Sequence, residues 1–235
     1  METIKTLWCW LFSQQKRMRK EIDAIENLER NARITSKCRF NASIRLQHQG
    51  NFAFFTTTVL SLGLIFIPLM QNAEVPLAFK PNVLNMMQVF LAVAVLVYSV
   101  VIGTSRYEVR AEKLNECGDK LKELIRQLNY ALKEKKRLSE EDFDKYQQRY
   151  SDIVTDSENH TRCDHRLAWL EMGEDDSPTG LFRLHSYFIS YAARSVAYLI
   201  PIVMILFEVI FITDMIGATS ILVKYFNGNA VVSSS

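Results

Sequence analysis

Two sets of residues have the types and spacing that chemistry would need. The first is His160-x-x-Cys163-x-His165, two imidazoles and a thiol within one short stretch. These are zinc-binding side chains, but the paired C-x-x-C or H-x-x-x-H spacing of structural sites is missing and no fourth ligand stands nearby. No metal is expected there, and surface side chains at a capped helix start are the plainer account. The second set is polar: Asn85, Gln88 and Ser99 lie in one otherwise apolar stretch and Glu208 in another. A ring of such Glu residues around a water path in an oligomer would favour cations. Alternatively, Asn85 and Gln88 hydrogen-bond Glu208 inside one subunit and conduct nothing. A Gly-rich phosphate loop, a G-x-S-x-G elbow and an H-E-x-x-H pair are all missing. The acid pairs Glu140-Glu141 and Asp175-Asp176 sit in a capping turn and a linker. No enzyme activity and no cofactor are expected.

The elements that must position the polar set are defined by where charge is absent. No Lys, Arg, Asp or Glu occurs from Leu46 to Ala73, nor from Pro81 to Ser105. A bilayer core of about 30 Å needs roughly 20 apolar helical residues, and Asn51–Met70 and Asn82–Gly103 both supply them. The alternative, two core helices of a soluble bundle, would give each a polar outer face, and Phe52–Met70 offers only hydroxyls and a Gly. The loop Gln71–Pro81 makes the pair a transmembrane helical hairpin. A third stretch, Ser195–Thr213, is interrupted by Glu208 alone. A carboxylate at mid-membrane costs about 2.5–3.5 kcal/mol on insertion scales, which the surrounding Leu, Ile, Val and Phe can offset. It reads as a third span, with a re-entrant or interfacial helix as the alternative. At 1.5 Å rise per residue, Asn85 and Gln88 would lie roughly 5–9 Å, and Glu208 roughly 7–8 Å, below the same surface. They could therefore meet at one level. Thr57, Ser61 and Gly63 of the first span would lie level with Ser99 and Gly103 of the second, small residues that permit close approach.

Composition hides this division. The 235 residues carry a net charge of +2 and 49% apolar residues, as an ordinary domain would. Those values exclude a strongly basic nucleic-acid binder, an acidic disordered chain, a low-complexity polymer and a disulfide-dense miniprotein. By segment, however, the charge is +5 over residues 1–51, 0 over 52–81, −2 over 82–194 and −1 over 195–235. Residues 1–51 hold ten Lys and Arg, the hairpin loop holds only Lys80, and the tail after Thr213 only Lys224. The positive-inside rule then puts the N-terminus and the central block in the cytoplasm. All four Cys (9, 38, 117 and 163) would face the reducing side, so no disulfide is expected. Met1-Glu2 begins with an acid and Ile4–Phe12 is short for a leader's apolar core, so no cleavable leader is expected.

The charged blocks read as helices. Ile4, Leu11, Met18, Ile25 and Ala32 recur every seven residues, with Leu7, Ile22 and Leu28 on the same face. After the second span, Leu114, Cys117, Leu121, Leu124, Leu128 and Ala131 form a heptad seam on a stalk running to about Arg137. The seam fits packing against the N-terminal helix or self-association of copies. Ser139-Glu-Glu-Asp142 is a capping box opening another helix, with Phe143, Tyr146, Tyr150 and Ile153 on one face. Asp156–Thr161 turns the chain, Arg162–Met172 is a short helix, and the acidic stretch Gly173–Gly180 links to the third span. The arm with Trp8, Trp10, Phe12 and Lys16–Lys20 suits a partner or a membrane surface, or docking on the stalk.

The run Ser36–Leu46 directly before the hairpin, with Lys37, Arg39-Phe40 and Arg45-Leu46, resembles the SLATT family of two-transmembrane effectors from prokaryotic antiviral systems. Tyr107, Lys113, Leu114, Cys117 and Leu121 are similar to that family's helix after the second span. Tyr150–Ile153 with Glu158-Asn159-His160 and Asp164 is similar to the signature of an extended branch found beside reverse transcriptases. The match runs in order over about residues 20–210. The resemblance implies a membrane-perturbing, pore-forming effector, kept quiet until a partner sensor detects infection. That sensor would be a nucleotidyltransferase system, a nucleotide-binding SLOG protein or a reverse transcriptase. From the residues alone, Asn159, His160 and Asp164 are either fold-stabilising caps or a sensor surface, with no nucleotide pocket or direct nucleic-acid-binding signal.

Together these readings predict an all-α membrane protein: residues 1–50 as cytoplasmic helices, 51–103 as the hairpin, 104–180 as a cytoplasmic stalk and helical bundle, and 181–235 as a third span and external tail. It would sit in the bacterial inner membrane as a homo-oligomer among lipids, a pore-forming abortive-infection effector. A non-conducting scaffold recruiting a defence partner is the rival.

Overall fold

A computed structural model describes residues 23–133, 139–172 and 179–226. Expectations for the N-terminal arm and the heptad positions before Asp23, for the stalk's end near Arg137, for most of the acidic linker and for the last nine residues lie outside them. The described residues contain α-helices, one 3-10 turn and no strand. In chain order the helices are α1 (Ala24–Asn72), α2 (Pro81–Ser105), α3 (Tyr107–Lys133), α4 (Glu140–Thr155), α5 (Arg162–Met172), α6 (Gly180–Ser195), α7 (Leu199–Met215) and α8 (Val223–Phe226). A 3-10 turn, Val196–Tyr198, joins α6 to α7. The protein is all-α, and three helical stretches are long and apolar enough to cross a membrane: α1, α2 with α3, and α6 with α7.

The expected division at residue 50 falls inside α1, which runs unbroken for 49 residues. A helix of that length is about 74 Å long, more than twice a bilayer core, so only part of it is apolar. Pro68 lies within it without ending it, as happens in membrane helices whose neighbours take up the freed backbone groups. The second span does not continue smoothly into its stalk. Arg106 adopts a left-handed conformation (φ 46°) and separates α2 from α3.

Contacts divide the chain into two compact units. One comprises the part up to His48 together with Tyr107–Val196, the other Gln49–Arg106 and the part from Ala197 on. By this division α6 falls in the first unit with α3, α4 and α5, and α7 in the second.

In the first unit, the heptad seam of α3 is the core. Leu114, Cys117, Leu121, Leu124 and Leu128 are all at most 4% exposed. They pack on Ile25, Leu28, Ala32, Ala42 and Leu46 of α1, with Tyr146, Tyr150 and Ile153 of α4 closing the side. Of the two uses read for the seam, packing within the chain is the one these contacts display. Small residues bring α1 and α3 close. Ser36 donates to the Gly118 carbonyl (3.0 Å) and Ser43 to the Ala111 carbonyl (2.8 Å). A Cβ on Gly118 would lie 2.7 Å from Phe40 Cζ, so glycine is required under that ring. Ser139 caps α4 as read: the Asp142 N–H donates to Ser139 Oγ, while the Asp142 carboxylate accepts from the Ser139 hydroxyl, where a full box would have it accept from the Ser139 backbone N–H. Cys38, Cys117 and Cys163 are free thiols. Burial, with Asp164 nearby, pushes the Cys38 thiol up to about 12.

In the second unit, Leu60, Ile67, Leu84, Met87, Leu91, Phe211 and Met215 form an apolar core. The Phe79 ring from the hairpin loop stacks on Phe211 at 4.8 Å, and the Ala78 N–H bonds the Met215 carbonyl (3.0 Å). Thr56, Thr57, Thr58 and Ser61 each donate to the carbonyl four residues earlier, at 2.8–3.0 Å. Their hydroxyls are therefore satisfied inside α1. Phe54, Leu62, Ile65, Val89, Phe90, Ile200 and Val203 are exposed, the outward apolar surface a lipid environment requires.

Candidate functional site: two buried carboxylates and a basic cleft

Asp164 is the first buried carboxylate, with no exposed surface. It opens α5, where its side chain accepts from the Thr161 N–H (3.1 Å) and hydroxyl (2.6 Å). Two guanidiniums converge on it: Arg45 of α1 at 3.1 Å and Arg194 of α6 at 3.1 Å. Arg194 also donates to the Asn41 carbonyl at 3.1 Å. One carboxylate thus ties three helices together. Burial alone would raise the Asp164 carboxyl, but the Arg45 and Thr161 hydrogen bonds outweigh it and hold it below the ordinary value.

The other residues of the Ser36–Leu46 run also act on the fold. Arg39, fully buried, donates to the carbonyls of Glu158 and Val154 (the latter 3.3 Å), occupying acceptors at and beyond the end of α4. Phe40 covers Gly118 and carries the Lys122 ammonium 3.9 Å above its ring. Lys37 pairs with Glu171 at 2.9 Å, and Leu46 is buried against Leu114. Asn159 is exposed, and His160 is half-buried with its Nδ1 unbonded. The trio read as caps or sensor surface therefore divides, with Asp164 structural and the other two at the surface of the same turn.

Glu208 of α7 is also buried, 1% exposed, and among the described residues neither of its oxygens has a hydrogen-bond partner. It lies directly on α1, where a Cβ on Gly63 would fall 1.8 Å from Glu208 Oε1 and 3.1 Å from its Cγ. This corrects two expectations. Asn85 and Gln88 do not meet Glu208: both bond Gln71 of α1, Gln71 Nε2 donating to Asn85 Oδ1 (3.3 Å) and Gln88 Nε2 to Gln71 Oε1 (2.6 Å). Gly63, expected to admit the second span, admits the third span's carboxylate instead, while Ser99 is exposed and Gly103 has open space around it.

Three further residues escaped sequence reading. Arg194 only precedes the third apolar stretch, Gln71 read as loop, and Asp214 lies just past the stretch with no role read for it. Asp214 is fully buried and accepts from the N–H groups of Ile221, Leu222 and Val223 (3.1 Å and 3.2 Å for the first and last). It caps α8, a role its place before Gly217 and Thr219 hints at only in retrospect.

The cluster read for metal is arranged otherwise. The His160 and His165 rings stack at 5.9 Å, and Cys163 Sγ lies 3.0 Å from the Thr161 hydroxyl. Among the described residues no three His, Cys, Asp or Glu side chains are grouped to hold an ion. Burial and the Arg39 charge lower the His160 pKa, against Asp164. Beside the two rings lies a cleft of about 530 Å³, lined by His160, Thr161, Arg162, His165, Arg166 and Trp169.

An all-α fold with three membrane-length apolar stretches and a charged helical unit defines a helical membrane protein. The chain belongs to the SMODS and SLOG-associating 2TM effector domain family 5, whose profile matches residues 22–213. It is a membrane effector of that family, with a third apolar helix beyond the two spans of the family's description. Neither the curated proteins nor the solved structures gave a match.

Proposed function

We propose that this protein is the membrane effector of a prokaryotic antiviral defence system, permeabilising the inner membrane when a partner sensor is triggered. The N-terminus and the charged helices face the cytoplasm, as the ten Lys and Arg before the first span favour. Glu208 carries the reading. An ionisable side chain in an apolar helix is expensive and marks function by default, and this one has no partner that would make it structural. Seated on Gly63 it is shut off from any water path, which suits a quiet state. Homo-oligomeric assembly that lifts α7 off Gly63 would bring Glu208 to a shared aqueous lumen, where a ring of carboxylates favours cations.

A non-conducting scaffold that recruits a defence partner is the second reading. It is favoured by the closure of Asn85, Gln88 and Gln71 on one another, which leaves less polar surface for a lumen. One experiment separates the two. The protein is expressed with its genomic neighbours, challenged with phage, and the membrane potential recorded beside growth. Depolarisation at growth arrest, abolished by Glu208→Gln, is the expected outcome. Growth arrest at intact potential would establish the scaffold instead.

A further inference from the structure

The cleft on α5 takes no part in the intramembrane chemistry above. Arg162, His165, Arg166 and Trp169 fall at i, i+3, i+4 and i+7 and share one helix face. The turn before the helix adds His160 and Thr161. Among the described residues no carboxylate lines the cleft, and Asp164 is taken up by its pairing with Arg45 and Arg194. Elsewhere in this unit the arginines are engaged: Arg33 with Glu29, Arg39 with two carbonyls, Arg110 with Glu158, Arg149 with Gln127 and Arg183 with the Leu170 carbonyl. Among the described residues, Arg162 and Arg166 carry no such bond. Two guanidiniums one turn apart, with Cβ atoms roughly 5–6 Å from each other, can both fork onto the oxygens of one phosphate. His160 Nδ1, buried and unbonded, is a further polar atom at the wall. Trp169 supplies a planar aromatic face at the far end, the surface on which a nucleobase stacks.

We propose that this cleft binds a nucleotide, its phosphate held by Arg162 and Arg166 beside the two imidazoles and its base stacked on Trp169. Its volume lies within the range of small-ligand sites. A phosphate anion alone would need no indole, and a lipid headgroup offers no aromatic ring to stack. The proposal stands apart from the conduction reading, because binding is measured without ion flux.

The test uses the full chain in phosphatidylcholine nanodiscs with Trp8→Phe and Trp10→Phe, so that emission reports Trp169. Saturable quenching by ATP is expected, with inorganic pyrophosphate binding at least tenfold more weakly. Arg162→Gln with Arg166→Gln should weaken ATP at least tenfold while leaving the thermal midpoint in place. Trp169→Leu, followed by equilibrium dialysis of labelled ATP, should also weaken it. No saturable quenching, or ATP affinity unchanged in the double variant, overturns the proposal. Pyrophosphate binding as tightly as ATP overturns the base-stacking half. A response that appears only when phosphatidylglycerol replaces phosphatidylcholine assigns the cleft to a lipid headgroup and overturns the nucleotide.

Discussion

Asp164 in one unit and Glu208 in the other are both carboxylates withdrawn from solvent, and their surroundings treat them in opposite ways. Asp164 receives two guanidiniums, a hydroxyl and a backbone N–H. Glu208 receives nothing and rests on bare backbone at Gly63. A buried charge is tolerable when it is paired and hydrogen-bonded, and costly otherwise. The first arrangement is what a fold needs to clamp three helices. The second contributes no hydrogen bond to the fold among the described residues. The family-like run before the first span falls on the structural side of this contrast, since Arg39, Phe40, Arg45 and Leu46 all hold the helical unit together.

The contrast can be broken at Asp164 first. Asp164→Asn leaves Arg45 and Arg194 without their counter-charge, and loss of one partner of a buried pair costs about 3–5 kcal/mol. Thermal unfolding of the detergent-solubilised protein should register that as the largest drop of any single change. The same group sets an acid limit. Its folded pKa lies below the ordinary 3.8, so its contribution is fully present above that pH and is lost as pH falls through the folded value. Unfolding followed from pH 6 down to pH 2 should show an acid destabilisation that Asp164→Asn lacks.

Gly63→Ala sharpens the other side. The added methyl cannot share space with Glu208, and overpacking of this kind costs about 1–3 kcal/mol. In a double-mutant cycle, Glu208→Ala should recover most of that loss, since the clash is with that side chain. Full additivity of the two changes would show that Glu208 does not rest on Gly63. The smallest effect is expected at Lys37→Ala. Its pair with Glu171 is 44% and 35% exposed, where ion pairs contribute about 0–1 kcal/mol, and the unfolding midpoint should scarcely move.

Much of the fold was legible because its determinants are local or periodic. The charge-free runs 46–73 and 81–105 marked two membrane-length helices, and the 3, 4, 3, 4 spacing from Leu114 to Leu128 marked the seam that α1 covers. Ser139 and Asp142 announced their own helix start. The contacts among polar residues were not legible. Depth along a helix axis placed Asn85, Gln88 and Glu208 at one level, but level does not fix azimuth, and Gln71 stood closer to the first two. Arg194, 30 residues from Asp164, carried no sign in sequence that it would turn back to it.

The sequence by itself determined that the protein is helical, where its apolar spans lie, and which helix faces are buried, because hydrophobic periodicity and charge exclusion act within a single helix. Only the tertiary structure decided that Asp164 is clamped while Glu208 lies on Gly63, and that Arg162, Arg166 and Trp169 line one cleft. Those outcomes depend on how helices distant in the chain rotate and approach, and a partner across such a contact leaves no periodic trace in either segment.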